Sequence, residues 1–292
     1  MDQRGLQMTG MDMQTVPGQF VGFFDDAATF PPGLAPLEKA ITDHVARRAN
    51  RHSGAVGPAV LALRDLPEAR AIASRLELDG RPVEVSAVVP ADGLSEALEL
   101  AGRLGPELEV VALELKTTPE DPERWRAQIL QAKELSRLPV YVELDAAQMA
   151  AGALDLMAGS ALHLKYRTGG IRAELFPTPE QLASVLLKAV EAGLKFKLTA
   201  GLHEAVRYTD LDTGFTHHGF LNIAMATEAA RQGAGVEQVT ALLSEFDTAK
   251  LERLARSSGG DWRQSFASFG TCSVVEPAES LEAMDLFPHG MA

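Results

Sequence analysis

Short apolar segments recur along this chain of 292 residues with amphipathic stretches between them, and that alternation restricts its fold more than any other feature. Runs at Gln19–Asp25, Ala59–Leu63, Val83–Val89, Leu108–Leu115 and Pro139–Asp145 read as strands, and two more centre on Leu162 and Phe196. Between them, Leu94, Ala97, Leu98, Ala101 and Leu104 fall at helical spacing and stop before Gly105-Pro106, a common helix end. Pro67 and Pro122 sit where a first helical turn tolerates proline. Strand spacings of about 22 to 39 residues leave room for the helical crossovers that parallel strands require. Ser265–Ser273 supplies an eighth strand, which predicts a closed α/β barrel of the (β/α)8, TIM type over residues 18–292 as one domain. Residues 1–17 show no period and read as an N-terminal arm. The segment of about 202–261 is too long for a simple connection. Its Asn222–Gln232 and Val236–Arg256 patterns predict a helical insertion after strand seven, a cover whose loop at Asp210–His218 closes over the site.

Chemistry concentrates between Leu164 and His203. Side chains of like parity share a face of a strand, so Lys165 and Arg167 point one way, and Lys197 and Thr199 are expected to point the same way from the next strand. Three cations then surround one spot, and an uncompensated buried charge costs several kcal/mol, on the order of the stability of a whole domain. The formal charge of −13, from 27 basic and 40 acidic residues, disfavours a nucleic-acid partner and makes clustered cations more notable. A lysine amine becomes nucleophilic when a neighbouring cation or desolvation lowers its pKa, and it can then condense with a carbonyl. The same pair can instead hold an anion electrostatically, or sit in a salt bridge to Glu114 or Glu143.

Carboxylates at strand ends, Glu114, Glu143 and Asp145, are candidate proton relays. With a lysine they could alternatively bind a divalent cation in an enolase-like site. Asp25 and Asp26 join the site or cap the first helix. Arg167 with Thr168, Gly169 and Gly170 can cradle a phosphate or carboxylate, and the glycines can equally mark a turn that needs positive φ. Ser268, Gly270 and Ser273 fit the same anion, because phosphate often sits beyond strands seven and eight of barrels. His203 or His218 contacts the anionic end, moves a proton, or makes a helix-start hydrogen bond. Adjacent His217 and His218 cannot both face one ion from a helix, so neither a metal nor a cofactor is expected. Cys272, the single cysteine, reads as a buried filler and points to a reducing compartment. No apolar run resembles a secretory signal or a membrane span, so a cytoplasmic protein without a membrane partner is expected.

The string Lys165-Tyr166-Arg167-Thr168-Gly169 resembles the Lys-x-x-Thr-Gly that ends the sixth strand of deoxyribose-phosphate aldolases. Lys197-Leu198-Thr199-Ala200-Gly201 is similar to the Lys-x-Ser-Gly-Gly of their seventh strand, and Gly270-Thr271-Cys272-Ser273 resembles the Gly-Thr-Ser-Ser of their eighth. Arg167, Ala200 and Cys272 depart from those patterns, and the resemblance is confined to three short motifs. It implies a class I aldolase or lyase in which Lys165 forms the Schiff base, Lys197 tunes it, and Glu114 or Glu143 relays a proton. Thr199, Gly201 and the eighth-strand residues would then help to hold the ligand. That ligand would be a small carbonyl compound bearing a phosphate or carboxylate, with homo-oligomerisation left open. Two rivals use the same residues: a barrel that binds a phosphorylated ligand or runs a non-aldol reaction, and a metal-dependent proton-abstracting enzyme.

Overall fold

Parallel strands buried on both faces need a helix over each crossover, and here the chain closes that pattern into a ring. A computed structural model describes residues 16–288, so positions 1–15 of the expected arm lie outside the described residues. The ring comprises β1 (Phe24–Asp26), β2 (Val56–Ala62), β3 (Val83–Val89), β4 (Leu108–Lys116), β5 (Val140–Glu143), β6 (Leu162–Arg167) and β7 (Phe196–Thr199) in chain order. An antiparallel hairpin, β8 (Tyr208–Thr209) with β9 (Thr216–His217), follows, and β10 (Phe266–Thr271) closes the barrel between β7 and β1. The fold is a (β/α)8 barrel of the TIM type. No helix among the described residues is long and apolar enough to cross a membrane.

Helices α1 (Leu37–Ala46), α2 (Leu66–Ala73), α3 (Leu94–Ala101) and α4 (Pro122–Leu135) cover the first half. The short α5 (Ala146–Ala150) and α6 (Ala153–Met157) follow β5, and α7 (Pro179–Glu191) follows β6. Local chemistry sets the starts. Asp121 accepts from the amides of Glu123 and Arg124 ahead of α4, and Asp145 and Thr178 form capping boxes with Gln148 and Gln181. Asp145, expected among the site carboxylates, is therefore committed to α5. Between β6 and β7 the helix begins only at Pro179, because Thr178 caps there, and the residues before it cross the barrel mouth with a 3-10 turn at Ala173–Leu175.

The long segment after β7 differs from the expected helical cover. Helix α8 (Phe220–Arg231) buries nearly every side chain, with Phe220 stacked on Phe269 at 5.1 Å and edge-on to Phe23 and Phe24. That aromatic contact docks α8 on the barrel wall as the helix between β7 and β10. Asp247, which accepts from the Lys250 amide, divides the pattern at Val236–Arg256 into α9 (Val236–Leu243) and α10 (Thr248–Ser257), and α11 (Val275–Ala283) ends the described chain. What stands over the mouth is the β8–β9 hairpin. Asn222 ties it down: its Oδ1 accepts from the Arg207 amide, and its Nδ2 donates to the carbonyls of Leu242 and Glu245.

Beyond β6 and β7 the backbones touch. A Cβ on Gly169 would stand 2.9 Å from the Gly201 Cα and 3.0 Å from a Phe176 ring carbon, and one on Gly170 would stand 2.4 Å from Leu175. Neither Gly169 nor Gly170 has positive φ, so close packing, and not a left-handed turn, is what requires glycine there. Gly169→Ala is expected to cost about 1–3 kcal/mol by overpacking, measured by urea unfolding.

Candidate active site

Alternation along barrel strands sends every second side chain inward, and in this barrel the carboxyl-end layer is filled by charge. Register pairs Lys165 with Lys197, Glu143 with Lys165, and Ser268 with Lys197. The side chains then alternate in sign. Lys197 Nζ lies 2.6 Å from Asp25 Oδ2 and donates to Glu114 Oε1, while Lys165 Nζ lies 2.8 Å from both Glu114 Oε2 and Glu143 Oε2. Arg167 Nη2 ends the series 3.7 Å from Glu143 Oε1. Three carboxylates face three cations. Side-chain exposure climbs from 1% at Lys197 to 5% at Lys165, 20% at Glu143 and 44% at Arg167, so the ladder runs from the interior to the mouth.

Hydroxyls complete it. Ser86 donates to Glu114 Oε1 at 2.7 Å and Ser268 to Asp25 Oδ2 at 2.7 Å. Gly57 leaves the space Asp25 occupies, since a Cβ there would meet the carboxylate at 2.2 Å. Burial drives the Glu114 carboxyl up, but Lys165 and Lys197 outweigh it and hold the group down at about 2. Glu143 is lowered in the same way, its burial overcome by Lys165 and Arg167. Burial would deprotonate the lysines, yet Glu114 and Glu143 raise Lys165, and Asp25 and Glu114 raise Lys197, so both rest as ammonium groups. Asp25 is raised because burial exceeds the pull of its single ammonium. Glu143 Oε2 is buried, and Lys165 Nζ at 2.8 Å is the charged group set against it.

A cavity of about 910 Å³ opens above the ladder. Lys165, Lys197, Glu114 and Glu143 border its base, and Arg167, Gly170, Thr199, Gly201, His203 and Gly270 its wall. The other expected residues lie outside the lining. Asp25 and Ser268 sit beneath Lys197, Thr168 donates to the Ala200 carbonyl at 2.8 Å, Gly169 packs on Gly201, and Ser273 Oγ accepts from the Glu276 amide. His218 is fully buried and pushed down by burial to about 4, hence neutral near pH 7. In that state its Nε2 donates to the Pro177 carbonyl and its Nδ1 accepts from Arg207. Asp26, one residue beyond Asp25, turns outward to His44 on α1 (3.0 Å) and to Arg47 just past that helix (2.6 Å); it does not cap α1, whose N-cap is Pro36.

Toward β7 and β10 the wall is acidic. Glu204, Asp210 and Glu276 line it, and His203 Nδ1 lies 2.6 Å from Glu276 Oε2. Cys272 is half-buried on the same wall, and burial raises its thiol. Two interior residues, Ser86 and Tyr141, belong to no motif. The signals were faint: Ser86 is a polar residue in an apolar strand, and Tyr141 shares its parity with Glu143. Tyr141 lies under the Lys197 ammonium at 5.8 Å, and burial pushes its hydroxyl up to about 12. Among the described residues no group of three or more His, Cys, Asp or Glu side chains is placed to hold a metal ion. Asp25, Glu114 and Glu143 each face an ammonium instead.

Fold and site together define a (β/α)8 barrel with a buried, acid-bridged lysine pair at the carboxyl ends of its strands. Set against known proteins, the chain matches no family model, no curated protein and no solved structure.

Glu114→Gln leaves two buried ammonium groups undercompensated and is expected to cost about 3–5 kcal/mol in urea unfolding at pH 7. Because Glu114 is held below its ordinary value of 4.5, its contribution is complete above that pH and disappears as pH falls through about 2. Wild-type stability should therefore fall across that window, more steeply than that of the variant. Asp25, raised when folded, opposes this trend.

Proposed function

We propose that this barrel is a Schiff-base lyase, aldolase-like in chemistry, acting on a small carbonyl compound that bears a carboxylate or phosphate. The observation that carries the reading is the setting of Lys165: at the cavity base, beside a second lysine, and 2.8 Å from a buried carboxylate oxygen of Glu143. That oxygen, Glu143 Oε2, is the acceptor for the proton that Lys165 must lose. Lys165 rests as ammonium, so the transfer belongs to the liganded state. A bound ligand expels water, and a salt bridge deprived of water is stabilised less as an ion pair than as a neutral hydrogen-bonded pair. Lys197 assists by drawing on Glu114, which weakens that carboxylate's hold on the Lys165 proton.

The neutral Lys165 Nζ adds to the carbonyl carbon and Glu143 returns its proton to the carbonyl oxygen; Glu143 then takes one proton from the adduct nitrogen and passes it to that hydroxyl, which leaves as water. In the iminium so formed, the carbon–carbon bond β to nitrogen breaks, and its electron pair forms the enamine. Glu143 takes the proton of the hydroxyl on the departing carbon, which leaves as an aldehyde, and delivers it to the enamine carbon. Hydrolysis restores the lysine.

The raised pKa values of both lysines favour one rival, a barrel that holds an anionic ligand by charge alone. Borohydride reduction separates the two. With pyruvate as probe, intact mass should show one adduct, absent in Lys165→Arg, which keeps the charge but cannot condense. That variant should unfold at nearly the wild-type urea concentration while losing turnover. Since Lys165 lies above its ordinary value, the neutral amine is the scarce form, and the trapping rate should rise about tenfold per pH unit from pH 7 to 9. No adduct at any pH would leave only the charge-binding reading.

A further inference from the structure

A cavity of about 910 Å³ is near the top of the range, roughly 300–1,000 Å³, that accommodates drug-sized ligands, and a three-carbon aldehyde would leave most of it to water. The two halves of the cavity differ in chemistry. Its base is the charged ladder. Its mouth is apolar: Phe30 and Pro32 from the loop after β1, Ile171, Leu175 and Phe176 from the loop after β6, and Phe215 from the hairpin. Phe176 and Phe215 face each other with ring centroids 5.2 Å apart. Ile171 lines this cavity while 78% exposed, so an apolar body in the mouth would cover surface that water now wets.

The charges place the ligand's anion. Arg167 is half-exposed and only loosely engaged, and Lys116 stands on the same β4–β6 side. The β7–β10 side, where barrels often hold phosphate, presents Glu204, Asp210 and Glu276 and would repel a dianion. Lys165 and Arg167 approach the two oxygens of a single carboxylate, Glu143. A ligand held by Lys165 through its carbonyl carbon and by Arg167 through an oxygen therefore has those two groups close together, and a carboxylate attached directly to the carbonyl is the shortest such arrangement. We infer that the substrate is an α-keto acid with a large apolar body, not a phosphorylated sugar. In the lyase direction it is a γ-hydroxy-α-keto acid: the bond between the β and γ carbons breaks, its electrons pass into the enamine, the γ-hydroxyl proton goes to Glu143, and the apolar half leaves as an aldehyde while pyruvate is released by hydrolysis. This inference rests on the Schiff-base reading and deepens it.

Reductive trapping on the full chain tests it with four probes: phenylpyruvate, pyruvate, phenylacetone and glycolaldehyde phosphate. Phenylpyruvate should half-saturate at a concentration at least tenfold below that for pyruvate. Phe215→Ala, with Phe215→Leu as a milder second variant, should erase most of that advantage while leaving pyruvate within twofold. Arg167→Met should weaken phenylpyruvate and pyruvate about tenfold more than phenylacetone, which lacks the carboxylate. Preference for glycolaldehyde phosphate, or equal half-saturation by phenylpyruvate and pyruvate, would overturn the inference while the Schiff-base reading stood. Absence of any adduct on Lys165 would overturn both.

Discussion

Glu114 is the interaction on which the rest of the site depends. One oxygen takes Lys197 and Ser86, the other lies against Lys165, and all of these groups are buried. Two ammonium groups on adjacent strands at the same register would repel each other in a medium where charge is poorly screened. A carboxylate shared between them turns that repulsion into a chain of attractions, with Asp25 and Glu143 terminating it on either side. The ladder therefore has to be complete to be stable. It also leaves both lysines little freedom, since each ammonium is held between two carboxylates.

The barrel was legible because its signal is repeated eight times, and no single strand had to be read well. Lys165, Arg167, Lys197 and Thr199 were placed by parity, and the observed register of β6 against β7 keeps the lysines level. The partnership between distant residues was less accessible. That Asp25 would meet Lys197, or Ser86 would meet Glu114, depends on ring closure and on stagger between strands, which no local pattern encodes. His218 misled because a histidine beside a glycine-rich loop looks available, whereas its ring is spent on the carbonyl of Pro177 and on Arg207. The fate of the segment after β7 turned on Phe220: aromatic contacts with β1 and β10 residues recruit the helix to the wall, and an amphipathic pattern cannot say which surface a helix will choose.

The raised basicity of the lysines and the proposed covalent role are two aspects of one arrangement. A lysine kept charged by its neighbours is slow to condense with stray aldehydes, and a ligand that dries the cavity would relieve it. Glu143 is the most exposed carboxylate of the ladder and the one that borders the cavity beside Lys165. Reactivity in this picture is gated by hydration of the cavity rather than by a permanently lowered pKa.

The hairpin joins the barrel through a narrow neck. The amides of Phe220 and Leu221 donate to the carbonyls of Glu204 and Ala205, so the chain leaves and re-enters the wall at nearly one point. Everything between is thus a module, held back to the barrel by His217 on the Gly201 carbonyl, His218 on the Pro177 carbonyl and the Arg207 amide on Asn222. Because Tyr208, Asp210 and Phe215 all belong to that module while both lysines lie below it, changes confined to one short loop would reshape the cavity mouth and leave the ladder of charges beneath it as it is.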